Sequence, residues 1–184
     1  MIVVGALVVG ALIYAVVIYN DLVRLKTNIV RNWSNIDVLL KQRFDELPKL
    51  VEVCKGYMQH ERETLEAVTQ ARNDAAEARD ESSVLESQAR VTRAVRRLFA
   101  VSESYPNLKA DQAFLRLQAR ITEIENMIAD RREYYNESVN IHNARIEQFP
   151  DLFIARNFGF HRRPFWAIDP NERDTPGATF RPAD

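Results

Sequence analysis

The chain has 184 residues, 25 basic and 26 acidic side chains, and a formal net charge of −1. So even a balance excludes bulk nucleic-acid binding, which needs a strong positive field. The single cysteine, Cys54, cannot close an intramolecular disulfide and fits a reducing compartment.

Residues 1–19 contain no charged side chain, no Asn, no Gln and no Pro, and every charged residue follows Asn20. As a helix this run spans about 28 Å, against a hydrocarbon core of roughly 30 Å. It predicts a single membrane-spanning helix, domain 1–19. The side chains in contact with lipid would be Ile2, Val3, Val4, Leu7, Val8, Val9, Leu12, Ile13, Val16, Val17, Ile18 and Tyr19. A cleaved signal peptide is the rival reading. It needs a basic residue ahead of a shorter apolar stretch, and the first basic residue here is Arg24. The uncleaved anchor is therefore preferred. Arg24, Lys26 and Arg31 follow the span, and positive residues stay on the cytoplasmic side. The expected topology is N-terminus out, with the bulk of the chain in the cytoplasm.

Past the span, apolar residues continue at Leu22, Leu25, Ile29, Trp33, Ile36, Leu40, Phe44, Leu47 and Val51. The spacing is 3, 4, 4, or eleven residues in three turns, which describes a nearly straight helix. A stripe this long needs a partner surface, either the rest of the chain or a neighbouring subunit. Pro48 should kink or restart the helix near Glu46–Leu47, because its ring removes one backbone hydrogen bond. A second helix is then expected to run to about Ser82, with a middle of small residues, Ala67, Ala71, Ala75, Ala76 and Ala78. Ser82–Ser83 reads as a turn or cap. A third helix carries Leu85, Val91, Val95, Leu98 and Phe99 and stops at Tyr105-Pro106-Asn107. Asp111 is the expected N-cap of a fourth. Its Phe114, Leu117, Ile121, Ile124, Ile128, Tyr135, Val139, His142, Ile146 and Phe149 follow a coiled-coil-like period up to Pro150. No stretch alternates with period two beside turn signals. The predicted fold is all-α: a transmembrane helix continuing into an elongated antiparallel bundle, domain 20–160. A tail, 161–184, is rich in proline and aromatics and reads as a strap on a groove of its own bundle or of a neighbour's.

Little in this pattern builds catalysis. His60-Glu61-Arg62-Glu63-Thr64 begins like the zinc motif H-E-x-x-H, but Thr64 stands where the second histidine must be. Di-iron bundles use Glu-x-x-His pairs, and the residues three before His60 and His142 are Tyr57 and Val139. Cys54 has no activating neighbour and reads as a small buried hydrophobe. No glycine-rich phosphate loop occurs. No catalytic residue, cofactor or metal is expected. Arg90, Arg93 and Arg97 share a helix face. It is either a surface for anionic lipid or a partner, or a solvated face paired with Glu77, Asp80, Glu81 and Glu86.

Several stretches together carry a family resemblance: Trp33-Ser34-x-Ile36-Asp37-Val38-x-Leu40-Lys41-x-Arg43, Leu47-Pro48-x-Leu50-Val51 and Lys55-Gly56-Tyr57-x-x-His60-Glu61. Further along come Leu98-Phe99-Ala100-Val101-x-Glu103-x-Tyr105-Pro106, Glu123-x-Glu125-Asn126-x-Ile128 and Phe158-Gly159-Phe160. Over nearly its whole length the chain resembles the LemA family of bacterial membrane proteins. Leu39 and Cys54 depart from it, standing where members often have Gln and Val. The resemblance implies a helical bundle behind one span in the bacterial inner (cytoplasmic) membrane, and no established activity. A relative in magnetosome membrane biogenesis hints at membrane organisation. The resemblance also directs attention to Asn20, Asp37, Lys41, Arg43, Glu103, Asn126 and Asn136. These are expected on the inward side of helices, as a hydrogen-bonded network that sets register or as a partner surface.

The expected function is a non-enzymatic, membrane-anchored scaffold or adaptor that self-assembles as a homo-oligomer. The alternative is a regulatory partner of another membrane protein in envelope signalling or proteolysis. The expected partners are the lipid bilayer, further copies of the chain and other membrane proteins, and not nucleic acid.

Overall fold

The structure, a computed structural model, describes residues 1–166; of Glu81 only the backbone is described. Most of the expected tail, from residue 167 onward, lies outside the described residues. Within them the chain forms six helices and no strand: α1 Ile2–Lys55, α2 Arg62–Glu77, α3 Glu81–Ser102, α4 Pro106–Ala110, α5 Gln112–Glu147 and α6 Asp151–Asn157. The all-α expectation holds.

Two long rods set the architecture. α1 has 54 residues and α5 has 36. The portion of α1 past residue 19 is therefore as long as α5, about 54 Å at 1.5 Å per residue. They run antiparallel. Ile18 and Leu22 share a core with Ile146, and Ile29, Ile36 and Leu40 with Ile124, Ile128, Tyr135 and Val139. At the far end Leu47, Leu50, Val51 and Cys54 meet Phe114 and Ile121. Here α2 and α3 join them through Leu65, Val68, Ala71, Val91, Val95 and Leu98. The distal half is thus a four-helix bundle, and the half nearer the N-terminal apolar run is a helix pair. The 3-4-4 stripe of α1 faces its own chain: Leu22, Ile29, Ile36, Leu40, Leu47 and Val51 are buried, and Leu25, Trp33 and Phe44 half-buried.

The expected break at Pro48 is corrected, because α1 runs through it to Lys55. The proline denies the Phe44 carbonyl its usual donor, and Arg72 of α2 supplies one, its Nε donating to that oxygen at 3.4 Å. The same guanidinium lies 3.7 Å from the centroid of the Phe44 ring. A mid-helix proline costs about 3 kcal/mol. Leu47, Leu50 and Val51 beside it are buried, each contributing about 1.5–3 kcal/mol, so packing outweighs the loss. The real boundary is Gly56, where the amides of Tyr57 and Met58 both turn back to the Cys54 carbonyl and Met58 is buried. The expected second helix is correspondingly shortened to α2.

Caps define the other joints. Asp80 and Ser83 form a reciprocal capping box at the start of α3 (Ser83 N to Asp80 Oδ1 3.0 Å, Asp80 N to Ser83 Oγ 3.2 Å). Asp111 caps α5 as expected, accepting from the amides of Ala113 and Phe114 at 2.7 and 3.0 Å. Its carboxylate also accepts from the Tyr57 hydroxyl at 2.8 Å, tying the distal turn to α5. The Phe114 amide, then the Tyr57 hydroxyl, hold that carboxyl below its ordinary range. Helices α4 and α6 were not foreseen. α6 ends in a Schellman closure: Gly159 takes φ 71° and the Phe160 amide donates to Ala155 O at 2.9 Å. The chain then reverses and climbs the helix pair.

Candidate functional site: the apolar N-terminal run, the strap and the buried arginine

Three features of the described residues stand apart from ordinary packing. The first is the N-terminal run. From Met1 to Val17 no residue is buried, and Leu7, Leu12 and Ile13 are each more than 60% exposed. Burial begins at Ile18. The apolar run projects as a bare helix that turns, without interruption, into a wall of the bundle. It is long and apolar enough to cross a membrane, and a core helix would be covered where this one is not. Of the expected lipid-facing set, Ile18 is instead buried against α5 and α6.

The second feature is the strap, residues 160–166, on the helix pair. Asn143 grips the backbone of Arg163 with both ends of its amide, accepting from the N–H and donating to the carbonyl, each at 2.9 Å. Asn136 grips Trp166 in the same way, at 2.8 and 3.0 Å. The two asparagines are seven residues apart, about 10.5 Å along a helix. Three extended residues cover about 10 Å, so the grips match in pitch. Tyr135 donates to Pro164 O at 3.1 Å, and the Trp166 indole is buried beside Trp33, 6.0 Å between ring centroids. In Asn136→Ala/Asn143→Ala the four backbone hydrogen bonds are lost. At about 1 kcal/mol net each, amide exchange at residues 163–166 should rise more than tenfold. Unchanged protection by hydrogen exchange would contradict the clamp.

His142 is buried under the strap, with Nε2 3.2 Å from the carbonyl of His161 and Nδ1 without a partner among the described residues. A carbonyl accepts, so Nε2 carries the hydrogen and Nδ1 is a bare lone pair. Burial lowers the pKa of His142 below its ordinary 6.5; Arg163 and Lys26 lower it further, against the opposing pull of the His161 carbonyl. The folded chain therefore binds fewer protons here than the unfolded one. The contribution is fully present above pH 6.5 and is lost as pH falls below it toward the depressed folded value. As pH falls below 6.5 the tryptophan emission should shift to the red as Trp166 leaves Trp33. In His142→Gln, whose amide can still donate to His161 O, that shift should be absent. An identical titration in the two proteins would contradict this.

The third feature is Arg43, a charged side chain 2% exposed in the middle of the bundle. Its Nη1 donates to Thr92 Oγ1 at 2.9 Å and pairs with Glu125, and Nη2 donates to Gln88. One guanidinium thus joins α1, α3 and α5. Of the seven polar residues singled out, Arg43 and Asn136 do lie inward. The structure corrects the other five: Asn20, Asp37, Lys41, Glu103 and Asn126 are exposed. The helical period allowed either face, because each is a short step from a core position.

The remaining candidates resolve simply. Arg90 pairs with Asp74 at 3.5 Å and Glu86 at 3.9 Å, and Arg97 with Glu63 at 3.6 Å. Arg93 is exposed beside them and is also engaged. This is a solvated, paired face, with Asp74 and Glu63 in place of the Glu77 and Asp80 expected. Cys54 is buried and its thiol is pushed up to about 12 by desolvation. His60 is exposed. Among the described residues no group of three or more His, Cys, Asp or Glu is placed to hold a metal. An open depression of about 930 Å³ lies at the distal end, lined in part by Val51, Lys55, Met58, Arg62 and Glu66.

The model of the LemA family matches residues 32–180. "Protein LemA" of Metamycoplasma hominis is 29% identical over 155 residues, 84% of this chain and 71% of that protein. "Magnetosome protein MamQ 2" of Paramagnetospirillum magneticum is 34% identical over 83 residues, 45% of this chain. "Magnetosome protein MamQ" of Magnetospirillum gryphiswaldense is 30% identical over the same length. The matched stretch is 30% of the length of either magnetosome protein.

Proposed function

The chain belongs to the LemA family, and from that premise we propose that it is a non-enzymatic, single-pass membrane scaffold or adaptor that self-assembles. One observation carries the reading: a single uninterrupted helix is both the bare apolar run and the longest wall of the bundle. A domain joined in this way cannot swivel on a linker, and it presents its surfaces at a fixed orientation to the bilayer. Arg24, Lys26 and Arg31 are all exposed just past the run, which supports an inner-membrane protein with its bundle in the cytoplasm. The relatives named as magnetosome proteins are in keeping with the task in membrane organisation that the family resemblance suggests. Asp37, Lys41 and Asn126, exposed on the two rods, are available to contact another copy.

Light scattering on the detergent-solubilised full-length chain, beside one starting at Asp21, tests the proposal. A discrete oligomer supports the scaffold, and the shorter chain tells whether the span or the bundle holds it together. A monomer in both removes self-assembly. The distal depression between α1 and α2 favours a second reading, in which another membrane protein docks there and is regulated. That reading expects the monomer, with a partner captured in one-to-one ratio.

A further inference from the structure

We infer that α6 and its flanks form a second, peripheral membrane contact, with Phe149, Phe153 and Phe158 entering the leaflet on the bundle's side. The inference rests on the reading of the N-terminal run as a span and adds a contact that the span does not require.

Position comes first. α6 packs on α1 through Ala155 and Ile154, in one core with Ile18 and Leu22, and Phe160 borders it. The Phe158 ring lies 4.9 Å from that of Tyr19, centroid to centroid. Residues 18–22 are where the uncharged run gives way to the first charges. α6 therefore sits at the level where the span would leave the hydrocarbon.

Its surface chemistry suits that level. Asp151 and Ala155 are turned inward and buried, whereas Phe149, Phe153 and Phe158 are 80, 59 and 62% exposed. The first two rings touch, 5.8 Å between centroids. The touching Phe149 and Phe153 rings, and Phe158 beside Tyr19, put exposed apolar surface at one tip of a polar bundle, which water disfavours. A short element with an apolar face and basic flanks is what lies in a bilayer interface. Arg156 is exposed on α6. The nearby carboxylates are answered by basic groups: Asp151 by Arg145, Glu147 by Arg162 at 2.8 Å, and Asp21 by Arg24 at 3.7 Å. The apolar surface of α6 is continuous with the span through Tyr19, so the occupant that fits it is the same bilayer.

The test places single nitroxides on the full-length chain in vesicles of phosphatidylcholine and phosphatidylglycerol, at Phe153→Cys and Phe158→Cys. Leu7→Cys reports the span and Asn107→Cys the distal end. Cys54 is buried, and labelling of the unchanged chain measures its background. Collisions with oxygen should exceed those with a water-soluble nickel chelate at both 153 and 158, as at 7, and the order should reverse at 107. Nickel exceeding oxygen at 153 or 158, with oxygen still favoured at 7, overturns the inference and leaves the span standing. Exclusion of both reagents at 153 and 158 also overturns it, because protein then covers the patch. Nickel favoured at 7 removes the span itself, and this inference with it.

Discussion

Ile36→Asp should leave no cooperatively folded stalk while the chain stays in the membrane. Ile36 is fully buried, packed in one core with Ile29, Leu40, Ile124, Ile128 and Tyr135. Losing a buried isoleucine removes about 1.5–3 kcal/mol. The new carboxylate adds several kcal/mol more, or must take up a proton, because nothing in that core can pair with it. Together these rival the 5–15 kcal/mol by which whole domains are stable. The apolar run from Met1 to Val17 is untouched, so the protein should still fractionate with membranes. A normal melt followed by circular dichroism, with unchanged oligomer mass, would contradict the packing of α1 on α5.

Arg43→Ala should be the costliest polar substitution, about 3–5 kcal/mol. At about 2–4 °C per kcal/mol for a chain of this size, that lowers Tm by about 6–20 °C. The reason is less the lost attraction than what remains: Glu125, Gln88 and Thr92 stay in place without their common donor. Arg43→Met should cost less, since it keeps the apolar stem that fills the space. Arg43→Met/Glu125→Leu should recover much of the loss, because replacing both partners of a buried pair is often neutral or better. A Tm for Arg43→Ala within about 2 °C of the parent would mean that the guanidinium is hydrated after all. Strong non-additivity between positions 43 and 125 is the expected signature of a shared network.

Much of this architecture was legible in the chain. The charge-free run, the 3-4-4 stripe and the cap at Asp111 each follow from a local rule, and each stands where the rule put it. Pro48 was misread because its cost is local and its compensation is not: Arg72, on the next helix, cannot be paired with the Phe44 carbonyl from sequence. Gly56, at the C-terminal end of α1, is the local signal for the true turn. The expected strap is described only as far as Trp166, and its grips at Asn136 and Asn143 depend on two segments meeting in register. A seven-residue Asn spacing on a helix facing a chain that must reverse at Gly159 would have been the sign to look for. The five polar residues that turned outward show the limit of periodicity, which fixes spacing well and phase poorly for residues at the edge of a stripe.

The central claim is that span and bundle share one rigid helix. A spin-label pair at Leu7→Cys and Val30→Cys, both exposed on α1, tests it most directly when the full-length chain is held in a bilayer. Twenty-three residues of unbroken helix separate the labels by about 35 Å. A single narrow distance distribution near that value is the expected result. A broad distribution, or one centred well below it, would place a hinge at the membrane surface and contradict the rigid mount.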